Sequence, residues 1–554
     1  MPVFLKAIPG YEKCFMDQCF DEKPTLTADT VLRGEEYHFE VAYTTTETGH
    51  DPKCQLILDA DGGLPFTMAT VEQVPVRVPC YHTRNDDHYL RKEPGLYPDL
   101  LVPIENGARI FVVHKELRAL YVTVKVPANT APGEYKINIR FRTNEGAVHV
   151  ETSVTLRVIA ATLPEQDLKV TKWFHSDCIA SYYELEIFSE KHWSYIENYI
   201  RTAVENGVNM ILMPVFTPPL DTAVGGERPT VQLVDVEKTE CGCWKFGFDR
   251  LERWVEMCNR CGVKFFEVSH LFTQWGAGHA PKIMAKVNGK MEKVFGWETD
   301  SLSPEYTAFL RAFLKAFLAK MKSLAGADKR CIFHISDEPA LDHLEAYKAA
   351  KASIADLLEG YTIIDALSNF EFYKTGALTT PIPANDHITP FLEANIEGLW
   401  TYYCCGQTTD VSNQFIAMSM NRTRMIGLQM WKFGIAGFLQ WGYNFWFSQG
   451  SVEEINPYYI TDGQFFVPAG DAYVVYPGPK GQPYTSLHLK AFVDGVMDNR
   501  MLKLAESLCG KEAVLAAVEE GIEPITFAKY PHCDCYLPGV RAKIHAMIEA
   551  ALQA

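Results

Sequence analysis

The chain has 554 residues, of which 47% are hydrophobic and 22% charged, and its 69 acidic against 52 basic side chains give a formal net charge of −17. That is ordinary globular usage, over a length that suits two or three domains of roughly 100–200 residues each. It excludes wholesale disorder, a collagen-like fibre and a disulfide-dense mini-protein, and an acidic chain without a basic patch excludes nucleic acid as a partner.

The first residues, Met1–Phe15, carry neither an apolar run after a basic stretch nor a small-residue cleavage site. No stretch reaches the about 18 uninterrupted apolar residues of a membrane span. A cytoplasmic protein that neither crosses nor binds a membrane is expected. The 15 cysteines are odd in number and scattered, Cys404 and Cys405 being adjacent. Reduced thiols suit that pattern better than paired bridges. Cys241-x-Cys243 and Cys258-x-x-Cys261 have zinc-like spacing, but Cys258 and Cys261 fall in the amphipathic stretch Leu251–Cys261, where small buried hydrophobes are the preferred reading.

Residues 1–165 read as strand after strand. Glu36–Thr44, Arg118–Val126, Tyr135–Arg142 and Val148–Ile159 are rich in β-branched and aromatic residues, with Pro- and Gly-rich turns such as Pro127–Tyr135 between them. Short strands without intervening helices predict an antiparallel β-sandwich. Ala160–Gln166 reads as a linker.

Over 166–510 the period changes. Apolar runs at Val170–Phe174, Met210–Pro214, Val263–Val268, Cys331–Ile335, Thr362–Leu367, Leu399–Cys404, Ile435–Trp441 and Ala472–Tyr476 alternate with helical stretches. The helices are predicted at Glu190–Glu205, Asp249–Cys261, Pro304–Ser323, Leu341–Leu358, Phe415–Phe433 and Ser486–Leu508. Eight run-plus-helix units predict a (β/α)8 TIM-like barrel, with a doubly wound sheet as the alternative. Residues 511–554 form a short helical tail packed on the barrel, with helices at Lys511–Glu520 and Val540–Leu552.

All ten tryptophans lie between Trp173 and Trp446. Their concentration in the barrel suits stacking on apolar sugar faces, although core packing accounts for a share of them.

In such a barrel the chemistry sits at the C-terminal strand ends. Those ends read Trp173-Phe-His175-Ser-Asp177, Thr217-Pro-Pro-Leu-Asp221, Glu267-Val-Ser-His270 with Gln274-Trp275-Gly276, His334-Ile-Ser336-Asp337-Glu338-Pro339, Asp365-Ala-Leu-Ser368, Trp400-Thr-Tyr402-Tyr403, Gln440-Trp441-Gly-Tyr443-Asn444 and Tyr476-Pro-Gly478. Polar and aromatic residues directly after apolar runs predict a polar pocket with aromatic walls.

Asp337-Glu338 is the sharpest element. As a bland feature it caps a helix starting at Pro339. As a catalytic pair it is too close-set for the usual two-carboxylate glycosidase, whose carboxyls stand about 5–9.5 Å apart across the sugar. Adjacent carboxyls do suit the substrate-assisted exception, in which a 2-acetamido carbonyl attacks the anomeric carbon. One carboxyl then polarises the acetamide N–H, and the other protonates the leaving group and activates water. His334 reads either as a residue pointing into the barrel or as a hydrogen-bonded core histidine. His175, Asp177, His270 and Asp365 have the ligand chemistry of a metal site but lack its spacing, so no metal and no cofactor is expected.

Several ordered motifs resemble one barrel family. They are Phe333-His-Ile-Ser-Asp-Glu-Pro339, Phe272-Thr-Gln-Trp-Gly276, Phe295-Gly-Trp297, Trp400-Thr-Tyr-Tyr403, Trp441-Gly-Tyr-Asn444, Gly470-Asp-Ala-Tyr-Val-Val-Tyr-Pro-Gly478 and Asp494-Gly-Val-Met-Asp498. The family, formerly a domain of unknown function, is grouped with glycoside hydrolase family 123, the β-N-acetylgalactosaminidases. The resemblance spans about residues 165–510, with a family-like sandwich in front. It implies retaining hydrolysis of a terminal β-linked N-acetylhexosamine, GalNAc before others, through an oxazoline-like intermediate. Asp337 would orient the acetamide and Glu338 act as general acid/base. Tyr402 would hold the acetamide, Trp441 would be a sugar platform and Asn444 a hydroxyl partner. His175, Asp177, His270, Trp275, His334, Asp365 and Trp400 complete the expected substrate-binding set. The expected partner is a small oligosaccharide or glycoconjugate substrate, with a homo-oligomer left open. The alternatives are a glycosidase on a sugar without the acetamide, using Asp177, Glu267 or Asp365 as a distant second carboxylate, a metal-dependent hydrolase, and a non-catalytic carbohydrate-binding protein.

Overall fold

A computed structural model describes residues 2–46 and 54–553. The first third of the chain forms two sheets. A six-stranded sheet orders Val3–Pro9, Glu36–Thr45, Arg118–Lys125, Phe66–Val76, Gly95–Ile104 and, from far along the chain, Thr485–Ser486. A five-stranded sheet orders Ala28–Arg33, Val148–Thr162, Gly133–Arg142, Cys54–Gly62 and Arg109–Val112. Alternate residues of both contribute to one apolar cluster, with Phe39, Val41 and Val122 from the first sheet and Leu58, Ile139 and Leu156 from the second. Period-two alternation puts one face of each strand inward. The pairing is not purely antiparallel as expected, because Ala28–Arg33 runs parallel to Val148–Thr162. The expected linker also begins later, since the last strand continues to Thr162 with Ala161 buried.

Eight parallel strands follow. In chain order they are Lys169–Lys172, Met210–Met213, Phe265–Val268, Cys331–Phe333, Thr362–Ala366, Thr380–Ile382, Trp400–Tyr402 and Gly437–Gln440. They pair in one sheet in which the first strand is hydrogen-bonded to the second and the eighth. A parallel bridge between Ala384 and Tyr402 links the sixth and seventh, so the ring closes as a TIM-like barrel. Seven of the eight expected runs are barrel strands. The eighth, Ala472–Tyr476, is not: it is buried and apolar but makes only single bridges, Asn444 to Tyr473 and Tyr476 to Tyr484. Periodicity alone does not separate such a run from a strand. The sixth strand, Thr-Pro-Ile at 380–382, was not anticipated, because three residues containing a proline carry almost no strand signal. A small four-stranded sheet, Trp244–Gly247, Asp235–Lys238, Ile283–Val287 and Lys290–Phe295, is inserted around the third barrel strand.

The helices Glu190–Glu205, Asp249–Cys261 and Pro304–Ser323 occur where expected. Ser189 and Ser303 cap the first and third by accepting from His192 and Tyr306 N–H, and Gly262 ends the second at φ 88°. Leu341–Leu358 is shorter than expected, its α-helix covering Leu344–Ala352. The tail helices Lys511–Val518 and Tyr536–Gln553 share an apolar cluster with Met420–Lys432, Leu487–Cys509 and the strand Val148–Thr162. Cys258 and Cys261 are buried helix residues, and Cys241 and Cys243 are exposed thiols. Most of the described cysteines are free thiols, as expected, and Cys533 and Cys535 are joined, a short-range pairing that scattered spacing does not reveal. No helix among the described residues is long and apolar enough to cross a membrane.

Trp400 lies in the barrel directly across from Gly437. A Cβ on Gly437 would stand 2.1 Å from the Trp400 ring. Gly437→Ala is therefore expected to destabilise the barrel by about 1–3 kcal/mol, the usual cost of overpacking. Urea unfolding checks this, and a midpoint equal to wild type would contradict it.

Candidate active site

A cavity of about 210 Å³ opens at the C-terminal ends of the barrel strands. Its walls include Trp173 after strand one, Asp221 after strand two, Gln274 and Trp275 after strand three, Asp337 and Glu338 after strand four, Tyr402 of strand seven and Trp441 after strand eight. Cys404, Cys405 and Phe466 complete one side. Asp337 is half-buried and Glu338 exposed to the cavity. The Tyr402 hydroxyl donates to Glu338 Oε1 at 2.5 Å. Burial pushes the Asp337 carboxyl well above the usual range, and the neighbouring Glu338 charge adds to that.

The floor is a buried charge relay. His334 Nε2 bonds Glu267 Oε1 at 2.6 Å and Nδ1 bonds Asp365 Oδ1 at 3.1 Å, all three side chains being fully buried. Burial opposes the imidazolium, but the hydrogen bonds and charges of Asp365 and Glu267 outweigh it and lift the His334 pKa to about 9. Glu267 also accepts from Trp173 Nε1 at 2.8 Å and from the Thr171 hydroxyl. Asp365 accepts from Ile335 and Ser336 N–H at 3.1 and 3.2 Å and from the Tyr347 hydroxyl. One carboxylate thereby fixes the backbone immediately before Asp337.

Backbone strain gathers around the same cavity. Asp221, Trp275 and Glu338 have left-handed φ values of 46°, 59° and 40°, conformations that cost of order 1–3 kcal/mol at non-glycine residues and cluster at functional sites. Cross-loop bonds hold them. Trp275 N–H donates to Asp337 C=O at 2.8 Å, Glu338 N–H to Ala366 C=O at 2.9 Å, and Ser336 Oγ accepts from Gly276 and Ala277 N–H. Trp275 is left 49% exposed at the mouth.

Of the expected residues, Asp337, Glu338, Trp275, Tyr402 and Trp441 line the cavity. The others lie behind it. His334 and Asp365 form the floor network, and His270 stacks on His334 with ring centroids 4.2 Å apart. Trp400 is in the barrel interior. Asp177 makes two 2.8 Å bonds to Arg228, whose Nη2 also bonds His175 Nδ1 at 3.0 Å. The Asn444 amide is used up on His175, accepting from its N–H and donating to its C=O at 2.9 Å each. Side-chain direction and loop path put these residues out of reach, and neither is readable from spacing. Asp221, Arg228 and Asp471 were not singled out. Asp471 accepts from Trp441 Nε1 at 2.9 Å and holds that indole in the wall; its place in the Gly470–Gly478 motif was the available signal. Most tryptophans serve the core: only Trp173, Trp275 and Trp441 reach the cavity.

His270, His334 and Asp365 are the one group among the described residues whose ligand atoms gather within 4.8 Å. They fit a metal poorly, because both His334 nitrogens are already committed to Glu267 and Asp365.

Removing His334 would leave two buried carboxylates facing each other. His334→Gln is expected to lower the unfolding free energy by about 3–5 kcal/mol at neutral pH. The raised pKa means that the folded state binds this proton more tightly than the unfolded chain. Its contribution is complete below pH 6.5 and is lost as pH rises through about 9. Denaturant unfolding across that range should show a decline in wild type that the variant lacks; parallel curves would contradict the assignment.

Residues 173–505 match the family model described as the glycoside hydrolase 123 catalytic domain. A family 123 glycoside hydrolase from Clostridium perfringens, whose structure addresses glycolipid glycan hydrolysis, superposes with a TM-score of 0.74 at 16% identity, covering 100% of this chain and 99% of that one. A Parabacteroides merdae β-glucuronidase has a TM-score of 0.31 at 9% identity over 89% of this chain and 53% of its own. An endo-β-1,4-mannanase from Thermotoga petrophila has a TM-score of 0.32 at 10% identity over 61% and 76%. No curated protein sequence matches the chain. A closed parallel barrel, a carboxyl pair at the end of its fourth strand and a family match over most of its length make this chain a member of glycoside hydrolase family 123.

Proposed function

We propose that the chain is a retaining glycoside hydrolase that removes terminal β-linked N-acetylhexosamine, with N-acetylgalactosamine as the foremost substrate, by substrate-assisted catalysis. The observation that carries this reading is the placement of Asp337 and Glu338 side by side in one aromatic-walled cavity, while Asp177, Glu267 and Asp365 are buried and bonded elsewhere. The relative from Clostridium perfringens, described as acting on glycolipid glycans, supports glycans and glycoconjugates as the substrate class.

In this mechanism the acetamide N–H donates to Asp337. The carbonyl oxygen bonds to the anomeric carbon as the glycosidic C–O bond breaks, and the Glu338 proton passes to the leaving oxygen. Water then attacks the anomeric carbon, giving its proton to Glu338 and reopening the ring with net retention. In the empty site burial, with the Glu338 charge adding, favours the protonated form of Asp337. An acetamide N–H facing Asp337 favours the carboxylate there. Tyr402, bonded to Glu338 Oε1, keeps that side chain facing the cavity. Trp441, tied to Asp471, offers a flat apolar face to the sugar.

Glu338→Gln should lower turnover by about 10²–10⁴-fold with an unchanged melting midpoint. Near-normal turnover would remove Glu338 from the mechanism. A thiazoline analogue of the bicyclic intermediate should bind at least about 100-fold more tightly than the parent sugar. Equal affinities, measured by competitive inhibition, would count against the assisted route.

A further inference from the structure

Three carboxyl groups line the cavity, and the mechanism above uses two of them. The third, Asp221, is half-buried in a loop held from several sides. Its N–H donates to Gln274 Oε1 at 2.8 Å and its C=O accepts from Ser451 Oγ at 2.7 Å. The preceding Leu220 C=O accepts from Arg228 Nη1 at 2.9 Å, and Arg228 is locked onto buried Asp177. These bonds sustain the left-handed φ of 46° at Asp221. Among the described residues no hydrogen bond reaches its carboxylate, so a strained and tightly held backbone presents two free acceptor oxygens to the cavity.

We propose that Asp221 is a substrate-binding residue whose carboxylate accepts hydrogen bonds from hydroxyl groups of the bound sugar, and that it makes the site selective for uncharged sugars over uronic and sialic acids. The inference rests on the glycosidase reading of this cavity. A carboxylate only accepts, a neutral sugar presents a row of O–H donors, and charge-assisted bonds of this kind are roughly twice as strong as neutral ones. The charged groups around Asp221 are Arg228 on its own loop, Asp337 and Glu338 after strand four, and Asp471 after strand eight. Burial raises the Asp221 pKa to about 7, Arg228 opposing and the Glu338 charge adding, and Asp221 in turn raises Asp337. A substrate carboxylate would meet the same repulsion.

The test compares wild type with Asp221→Asn and Asp221→Gly. Asparagine tolerates the left-handed region and glycine adopts it freely, so neither variant adds backbone strain. Turnover is read on chromogenic N-acetyl-β-galactosaminide and on the corresponding N-acetyl-β-galactosaminuronide, which keeps the acetamide and adds a carboxylate, and binding on free N-acetylgalactosamine by calorimetry. The expected result is a loss of about 10–100-fold in kcat/KM and in affinity for both variants, at an unchanged melting midpoint. The alkaline limb of the kcat/KM pH profile should also move to lower pH, because above about pH 7 the charged Asp221 holds up the neighbouring Asp337 carboxyl and its removal releases that proton sooner. Variants within about twofold of wild type with an unmoved pH profile would overturn the inference. So would a wild type that cleaves the acetamido uronide as fast as the neutral acetamido sugar. A loss beyond about 10⁴-fold with rescue by azide would make Asp221 a nucleophile and overturn the hydroxyl-binding role. A wild type that cleaves nothing sinks the glycosidase reading alone, and calorimetry then decides for or against Asp221; one that also binds no sugar overturns both.

Discussion

The site depends on one buried cation. The His334 imidazolium is clamped between Glu267 and Asp365 with no exposed atoms on any of the three side chains. Two carboxylates and one imidazolium in a low-dielectric core survive only because each remaining acceptor is satisfied, by Trp173, Thr171, Tyr347 and the N–H groups of Ile335 and Ser336. Those partners come from strand one, from the helix after strand four and from the turn that carries Asp337. The network therefore works as a clamp across four of the barrel's strand ends. It also places a positive charge beneath Asp337, where it offsets part of the repulsion from Glu338.

Above that floor the loops are fastened to each other rather than to solvent. Ser336 and Asp337 hold the Trp275 turn, Gln274 and Ser451 hold Asp221, and Asp471 holds Trp441. Left-handed residues at Asp221, Trp275 and Glu338 are affordable only in such a web. The first third of the chain takes part as well. Arg77 forks onto Asp462 at 2.6 and 3.1 Å, and Asp86 onto Arg422 at 2.7 and 2.9 Å. Tyr89 donates to Thr408 C=O. These contacts anchor the loops after strands seven and eight, which carry Cys404, Cys405 and Phe466 of the cavity wall. The segment 77–94, between two strands of the six-stranded sheet, thus braces the face of the barrel that carries the cavity.

Much of this was legible in the sequence. Apolar runs alternating with helices marked seven of the eight strands, and the limits of the helices Glu190–Glu205, Asp249–Cys261 and Pro304–Ser323 agree with the sequence reading to the residue. Asp337-Glu338 stood out because polar residues follow an apolar run there. What stayed hidden has physical causes. Thr380–Ile382 is too short and contains proline, while Ala472–Tyr476 is buried like a strand without pairing like one. His175, Asp177 and Asn444 follow strand ends yet turn away from the cavity to hold Arg228 and one another, and only the loop path decides that. Asp221 was read at the end of strand two, after a Pro-Pro step, but its left-handed turn is set by contacts from distant segments, so no local pattern turns its carboxylate into the cavity.

The central claim is that an adjacent carboxyl pair acts through the substrate's own acetamide. The most direct measurement is the rate of hydrolysis of two chromogenic substrates that differ only at that group, N-acetyl-β-galactosaminide and β-galactoside. The account predicts cleavage of the first and none of the second above background. Comparable cleavage of both, or of the galactoside alone, would contradict it.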